Sequence, residues 1–106
     1  LIETDVAQDP RDGHGRSVLA YLCARLGQRQ RAESEVAQAL QLSPSDGDTR
    51  AMAALTYEAL GRRDDAIAVL NSSNPETRAD LNRWPDVPGL HADVRFQRLL
   101  KVQSVQ

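Results

Sequence analysis

Aromatic residues are scarce in this chain of 106 residues: one Trp, two Tyr and one Phe amount to 4%. Hydrophobic residues still reach 41%, so a core has to be assembled from Ala, Leu and Val. That mixture suits closely packed helices and lacks the β-branched and aromatic clusters that strands use. Cysteine occurs once, at Cys23, which excludes an internal disulfide. Neither sign of charge dominates. Lys and Arg number 13 against 15 Asp and Glu, a formal charge of −2, without the basic excess that a general nucleic-acid surface needs. No stretch is rich enough in Arg, Lys, Asn and Gln to act as a recognition helix. No apolar run approaches the roughly 20 residues of a membrane helix, and no signal peptide opens the chain. The length allows one domain with one modest core. Leu1 in place of Met, within what reads as a helix end, is expected of a segment cut from a longer chain.

What is present is a period. The pairs Leu26-Gly27 and Leu60-Gly61 stand 34 residues apart, and the same offset sets Ala20 under Ala54, Ala32 under Ala66, Val36 under Leu70 and Pro10 under Pro44. Carried backward, it pairs Ile2 with Val36 and Val6 with Leu40. Each period holds two helical stretches. From about Asp12 to Leu26, the residues Val18, Leu19, Leu22, Cys23 and Leu26 recur at steps of three and four, the spacing of one helix face. Gly27 supplies the break. A second stretch from about Gln30 to Leu42 carries Ala32, Val36, Ala39 and Leu40, and Pro44 stops it. The next unit opens at Ser45, with Asp48 three residues on, a capping-box-like start with Asp for Glu. Met52, Leu55, Tyr57 and Leu60 follow on its first helix, then Gly61, then Ala66, Ile67 and Leu70 on its second. The paired alanines let helix backbones approach toward the near end of the usual range of about 8–10 Å.

After Leu70 the period fails. Asn74-Pro75-Glu76 reads as a helix start, with Asn as cap and Pro in the first turn. A helix to about Trp84 would place Thr77, Leu81 and Trp84 on one side. Pro85 to Gly89 is predicted to be a tight loop. Asp93 then caps a last helix with Phe96, Leu99 and Leu100 as its apolar stripe.

The spacing of Ala54, Tyr57, Gly61, Ala66 and Leu70 resembles the tetratricopeptide repeat, as do Ala20, Gly27, Ala32, Ala39 and Pro44 one period earlier. Cys23 stands where an aromatic is usual. Ser73 replaces a late Ala, and the place of the closing Pro falls on Arg78. The tail with Asp93-Val94-Arg95-Phe96 and a double Leu resembles the closing segment of many bacterial tetratricopeptide proteins. The resemblance implies an all-α fold, a right-handed stack of antiparallel helical hairpins sealed by a C-terminal capping helix pair. Its expected divisions are 1–11 (tail of a preceding repeat), 12–44, 45–74 (with a shortened second helix) and 75–106 (cap).

The chemistry-bearing residues point nowhere else. His14 and His91 lack a carboxylate or Cys at ligand spacing and read as solvent-facing or loop histidines. Cys23 falls on an apolar face with no base suggested nearby. Asp64-Asp65 opens a helix, where acidic groups suit the dipole rather than a catalytic pair. Gly13-His14-Gly15 follows no strand and lacks the remaining Gly and Lys of a phosphate loop. Arg25, Arg29 and Arg31, like Arg62 and Arg63, read as solvated helix ends. No catalytic set, cofactor or metal site is expected.

The resemblance also implies a concave groove lined by the first helices, receiving a peptide or protein segment. The matching positions are His14, Ser17, Tyr21, Ala24 and Arg25 from one unit, and Asp48, Ala51, Leu55 and Glu58 from the next. Ser17, Val18, Tyr21, Ala51 and Leu55 stand where the family's carboxylate-binding members hold Lys, Asn and Arg, so a C-terminal carboxylate is not the expected ligand. The implied function is a protein-interaction scaffold; the alternative is an intramolecular regulatory or sensor segment of a larger bacterial enzyme or transcription regulator. A protein or peptide is the expected partner, without nucleic acid or membrane insertion, and a second copy could meet the exposed face of the N-terminal repeat, through residues such as Ile2 and Val6. The expected compartment is the cytoplasm, or else the extracytoplasmic side of a membrane-anchored parent.

Overall fold

The structure, a computed structural model, describes residues 12–105. The tail 1–11, with Ile2, Val6 and Pro10, lies outside the described residues. Seven helices make up the rest: α1 (Gly13–Arg25), α2 (Arg29–Leu42), α3 (Gly47–Ala59), α4 (Arg63–Asn71), α5 (Pro75–Arg83), α6 (Pro88–Ala92) and α7 (Val94–Val105). No strand occurs among the described residues.

The offset seen in the sequence is an offset in space. Helices α1 and α3 begin at Gly13 and Gly47 and end at Arg25 and Ala59, and α2 and α4 begin at Arg29 and Arg63. The caps repeat as well. Asp12 accepts a hydrogen bond from the backbone of Gly15 at 2.9 Å, and Asp46 accepts one from Thr49 at the same distance. Asp46, not Ser45, is therefore the cap of α3. Its carboxylate meets both the amide and the hydroxyl of Thr49, two donors that a Ser at 45 would not reach. At the other ends, Gly27 and Gly61 adopt φ of 82° and 76°. Gln28 donates back to the carbonyl of Cys23, and Arg62 to that of Tyr57, both at 2.8 Å. This is the Schellman closure, which needs a residue that tolerates positive φ.

Both hairpins bury the same stripe. Ala20, Ala32, Val36, Ala54, Ala66 and Leu70 are all fully buried. Small side chains at four of these six places let helix backbones come close, and the larger Val36 and Leu70 fill the space behind. On α1 the buried face differs from the expected one. Leu19 and Cys23 are inside and Val18 is half-buried, but Leu22 and Leu26 are exposed, at 39% and 74%. The interior instead takes Gly13, Ser17 and Ala20. Helix α1 packs on both α2 and α3, and two neighbours so close favour the small residues over the large.

The departures from the repeat pattern at Ser73 and Arg78 have a common cause. Helix α4 is nine residues long, against 14 in α2, and its last carbonyls must be met by something else. Arg78 donates to the carbonyls of Leu70 and Asn71 at 3.0 and 3.1 Å. Arg50 reaches across from α3 to the carbonyl of Val69, the carbonyl of Pro44 and the hydroxyls of Ser72 and Ser73. Ser73 is buried and donates in turn to the carbonyl of Val69 at 2.6 Å. Two guanidinium groups close a helix that ends early.

The segment after Asn74 rebuilds a third pair. Asn74 caps α5 through the amide and hydroxyl of Thr77, both at 2.9 Å. Helix α5 packs on α3 as α3 packs on α1, so it extends the row of first helices. Helix α7 packs on α5 and α4, the place of a second helix. The expected loop at 85–89 is only a turn at Pro85-Asp86, because Pro88 starts the short α6 with its preset φ. His91 is not a solvent-facing loop residue. Its Nε2 lies 2.8 Å from the carbonyl of Leu81, and its ring stacks on Phe96 at 6.0 Å. Val87, Leu90 and Phe96 are buried with Leu70 and Leu81 in one core cluster.

Candidate functional site

Among the described residues, three first helices side by side leave one face of α3 uncovered, and two depressions lie along it. The larger encloses about 370 Å³ between the start of α1 (His14), the inner face of α3 (Asp48, Ala51, Met52, Leu55) and the end of α5 with its turn (Asp80, Leu81, Arg83, Trp84, Pro85). The smaller, about 230 Å³, lies farther along α1 and α3 at Tyr21, Arg25, Leu55, Glu58 and Ala59, and is walled by Asp86 to Gly89. Leu55, only 2% exposed, lines both. The rings of Tyr21 and Trp84 meet edge to face, 6.5 Å apart and nearly perpendicular. This contact joins the first described helix to the terminal segment across the groove.

Of the positions implied for the groove, His14, Asp48, Ala51 and Leu55 line the larger depression, and Tyr21, Arg25, Leu55 and Glu58 the smaller. Ser17 is a correction. It is fully buried and its hydroxyl donates to the carbonyl of His14 at 2.6 Å, so it offers nothing to a partner. The small-residue stripe of α1 faces its neighbours, and Ser17 belongs to that stripe. Ala24 packs against the cluster of Leu19, Cys23, Ala32 and Leu60 instead. Glu58 lines the groove but is already engaged: Arg63 holds it through Nη2 at 2.6 Å and Nε at 3.1 Å. The same guanidinium lies over Gly89, where a Cβ would come within 2.3 Å of Arg63 Nη2 and the Arg63 side chain would have to shift.

Sequence reasoning passed over the wall that α5 and its turn contribute. The periodicity puts Leu81 and Trp84 on one face of a helix in the capping segment. Leu81 is buried at 1%, but Trp84 is half-buried, lines the larger depression and has a buried indole N–H with no hydrogen-bond partner among the described residues. The usable signal was Asn74-Pro75, which starts a helix directly after α4 and so extends the row of first helices.

A polar depression of about 230 Å³ adjoins the larger cavity and shares Asp48 and Asp80 with it; Asp46 and Glu76 also line it. Hydrogen bonds from the hydroxyl and amide of Thr49 hold the Asp46 carboxyl below its ordinary range. Asp80 pairs with Arg83 at 2.5 Å. Among the described residues, no three of His, Cys, Asp and Glu converge as metal ligands would, and no helix is long and apolar enough to cross a membrane.

A family model for the tetratricopeptide repeat matches residues 26–85. No curated protein and no solved structure matches the chain. The match spans more than half the length and covers the second helix of one hairpin, the whole of the next and helix α5. With hairpins recurring at this stride, caps and turn glycines included, the chain belongs to the tetratricopeptide repeat family.

Proposed function

We propose that the chain holds a segment of another protein in the groove formed by α1, α3, α5 and the turn at 84–89. Repeats of this family generally mediate protein–protein interaction and are typically non-enzymatic scaffolds. The observation that carries the finer reading is the larger depression. It has an apolar floor of Ala51, Met52, Leu55, Leu81 and Trp84 with polar groups confined to the rim. At about 370 Å³ it stands at the small end of ligand sites, which run to roughly 300–1,000 Å³, a size for one or two side chains of an extended segment. An aromatic anchor within a polar rim is the usual make-up of an energetic centre at an interface.

Selection from a random peptide library displayed on phage, with the 106-residue chain as bait, tests this reading. Recovered peptides are expected to weaken at least tenfold on Ala51→Arg, which fills the larger cavity, and measurably on Tyr21→Ala. Thermal melts establish that each variant is folded. Peptides indifferent to both changes would overturn the assignment.

A further inference from the structure

We propose that the segment seated in this groove is basic and apolar together: one large apolar side chain beside one or more Lys or Arg. The inference rests on the groove reading above and adds the chemistry of the occupant. Its basis is charge. The apolar cavity does not end in neutral surface at the N-terminal ends of α3 and α5. It opens onto the depression of Asp46, Asp48, Glu76 and Asp80, four carboxylates with no basic side chain among the lining residues described.

Two of these carboxylates are occupied, Asp46 as a helix cap and Asp80 with Arg83. Asp48 and Glu76 are exposed, and neither side chain has an ion-pair or hydrogen-bond partner among the described residues. Both lie in the first turn of their helices, where the dipole favours their charge. That explains why the protein tolerates them individually. It does not neutralise the potential that they present together to a ligand, which a cation from the partner would. His14 and Arg83 complete the rim of the apolar cavity, and Arg83 is committed to Asp80. A peptide laid along the groove can bury an apolar side chain against Leu55 and Trp84 while its neighbouring Lys or Arg reaches Asp48 and Glu76. An acidic segment would meet like charge at the same place.

The peptides recovered by the selection above decide the matter, with the emission of Trp84, the single tryptophan, as the readout of occupancy. Expected is enrichment of Lys and Arg next to Leu, Met or Phe. A recovered basic peptide should lose affinity roughly three- to tenfold for the Asp48→Asn/Glu76→Gln variant at low salt, and less at 0.5 M salt. Both positions are exposed, so the folded state survives the change. Enrichment of acidic or uncharged peptides, or affinity unmoved by the double variant, overturns the basic occupant while leaving the groove standing. Peptides that ignore both Ala51→Arg and Tyr21→Ala overturn the groove as well. Trp84 emission that shifts with the chain's own concentration, without peptide, would assign the groove to a second copy and overturn the proposal.

Discussion

The two hairpins α1–α2 and α3–α4 and the terminal unit α5–α7 arrive at the same packing by different chemistry. In the hairpins, each helix meets its partner through buried alanines, and a glycine with positive φ closes each first helix. In the terminal unit, no glycine turn joins the pair. A turn at Pro85-Asp86 and the short α6 do so, and Val87, Leu90 and Phe96 fill the interior in place of the alanine stripe. A repeat fixes positions for backbones, and any side chains that bury the exposed face and satisfy the helix ends can occupy the last one.

The sharpest break of this comparison is to remove the non-repeating part. Burial of Val87, Leu90 and Phe96 contributes about 5–9 kcal/mol at roughly 1.5–3 kcal/mol per side chain, comparable with the whole stability of a small domain, about 5–15 kcal/mol. Deletion of residues 85–106 is therefore expected to abolish cooperative melting followed by circular dichroism; an unchanged melting curve would show that the two hairpins stand alone. The converse change strains the repeating part. Ala54 is fully buried in the core cluster, and Ala54→Leu forces the packed backbones apart, at a cost near the top of about 1–3 kcal/mol. Urea denaturation gives the figure, and a loss under 0.5 kcal/mol would mean that the alanine stripe does not set the spacing.

Smaller effects probe the seam between the two styles. Arg50→Ala removes the guanidinium bonds to the carbonyls of Pro44 and Val69 and to the hydroxyls of Ser72 and Ser73, leaving the Val69 carbonyl to the two serine hydroxyls, and is expected to cost about 1–2 kcal/mol. Arg50→Lys should recover little, since one ammonium cannot address acceptors spread over Pro44, Val69, Ser72 and Ser73. Full recovery with Lys would reduce the clamp to simple charge. At the turns, a Cβ on Gly27 or Gly61 meets nothing within 4 Å. Alanine at either place should cost only the backbone term, about 1 kcal/mol, and nearly the same amount at both. Unequal losses would show that the two turns are not equivalent despite their equal geometry.

The repeating part was legible because its determinants are local. Gly27, Gly61 and the paired alanines each act at a fixed offset, and one offset accounts for them all. The groove was legible only as far as that offset reached. It located Tyr21, Ala51 and Leu55, but it could not show that Ser17 turns inward, because that depends on how α1 shares its small-residue face between α2 and α3. Nor could it place Trp84 against Tyr21, 63 residues earlier in the chain. The acidic depression joins the ends of α3 and α5, which stand side by side only once the third unit folds. Arg50 and Arg78 likewise satisfy carbonyls that no motif marks.

The start of α7 offers the finest test, because there the terminal unit replaces the capping geometry of the hairpins with an ion pair. The Asp93 carboxylate accepts from the Arg95 guanidinium, at 3.0 and 3.1 Å, and from the Arg95 amide at 2.9 Å. These bonds hold its pKa at about 2, below the ordinary 3.8, and Arg95 is also bound to Asp64 of α4 at 2.7 Å. A carboxyl with a lowered pKa in the folded state stabilises it fully above the unfolded value and loses that contribution as protons bind. The window therefore runs from about pH 4 down to about pH 2. The melting temperature of Asp93→Asn should lie below that of the parent chain at pH 6, and the gap should close by about pH 2. Because the pair is exposed, the gap should also shrink in 0.5 M salt. Carbon-13 titration of the Asp93 carboxyl reads the same equilibrium directly. A midpoint near 4 would mean that Arg95 serves Asp64 alone and that α7 starts without an aspartate cap, leaving the joint between α4 and α7 to apolar packing.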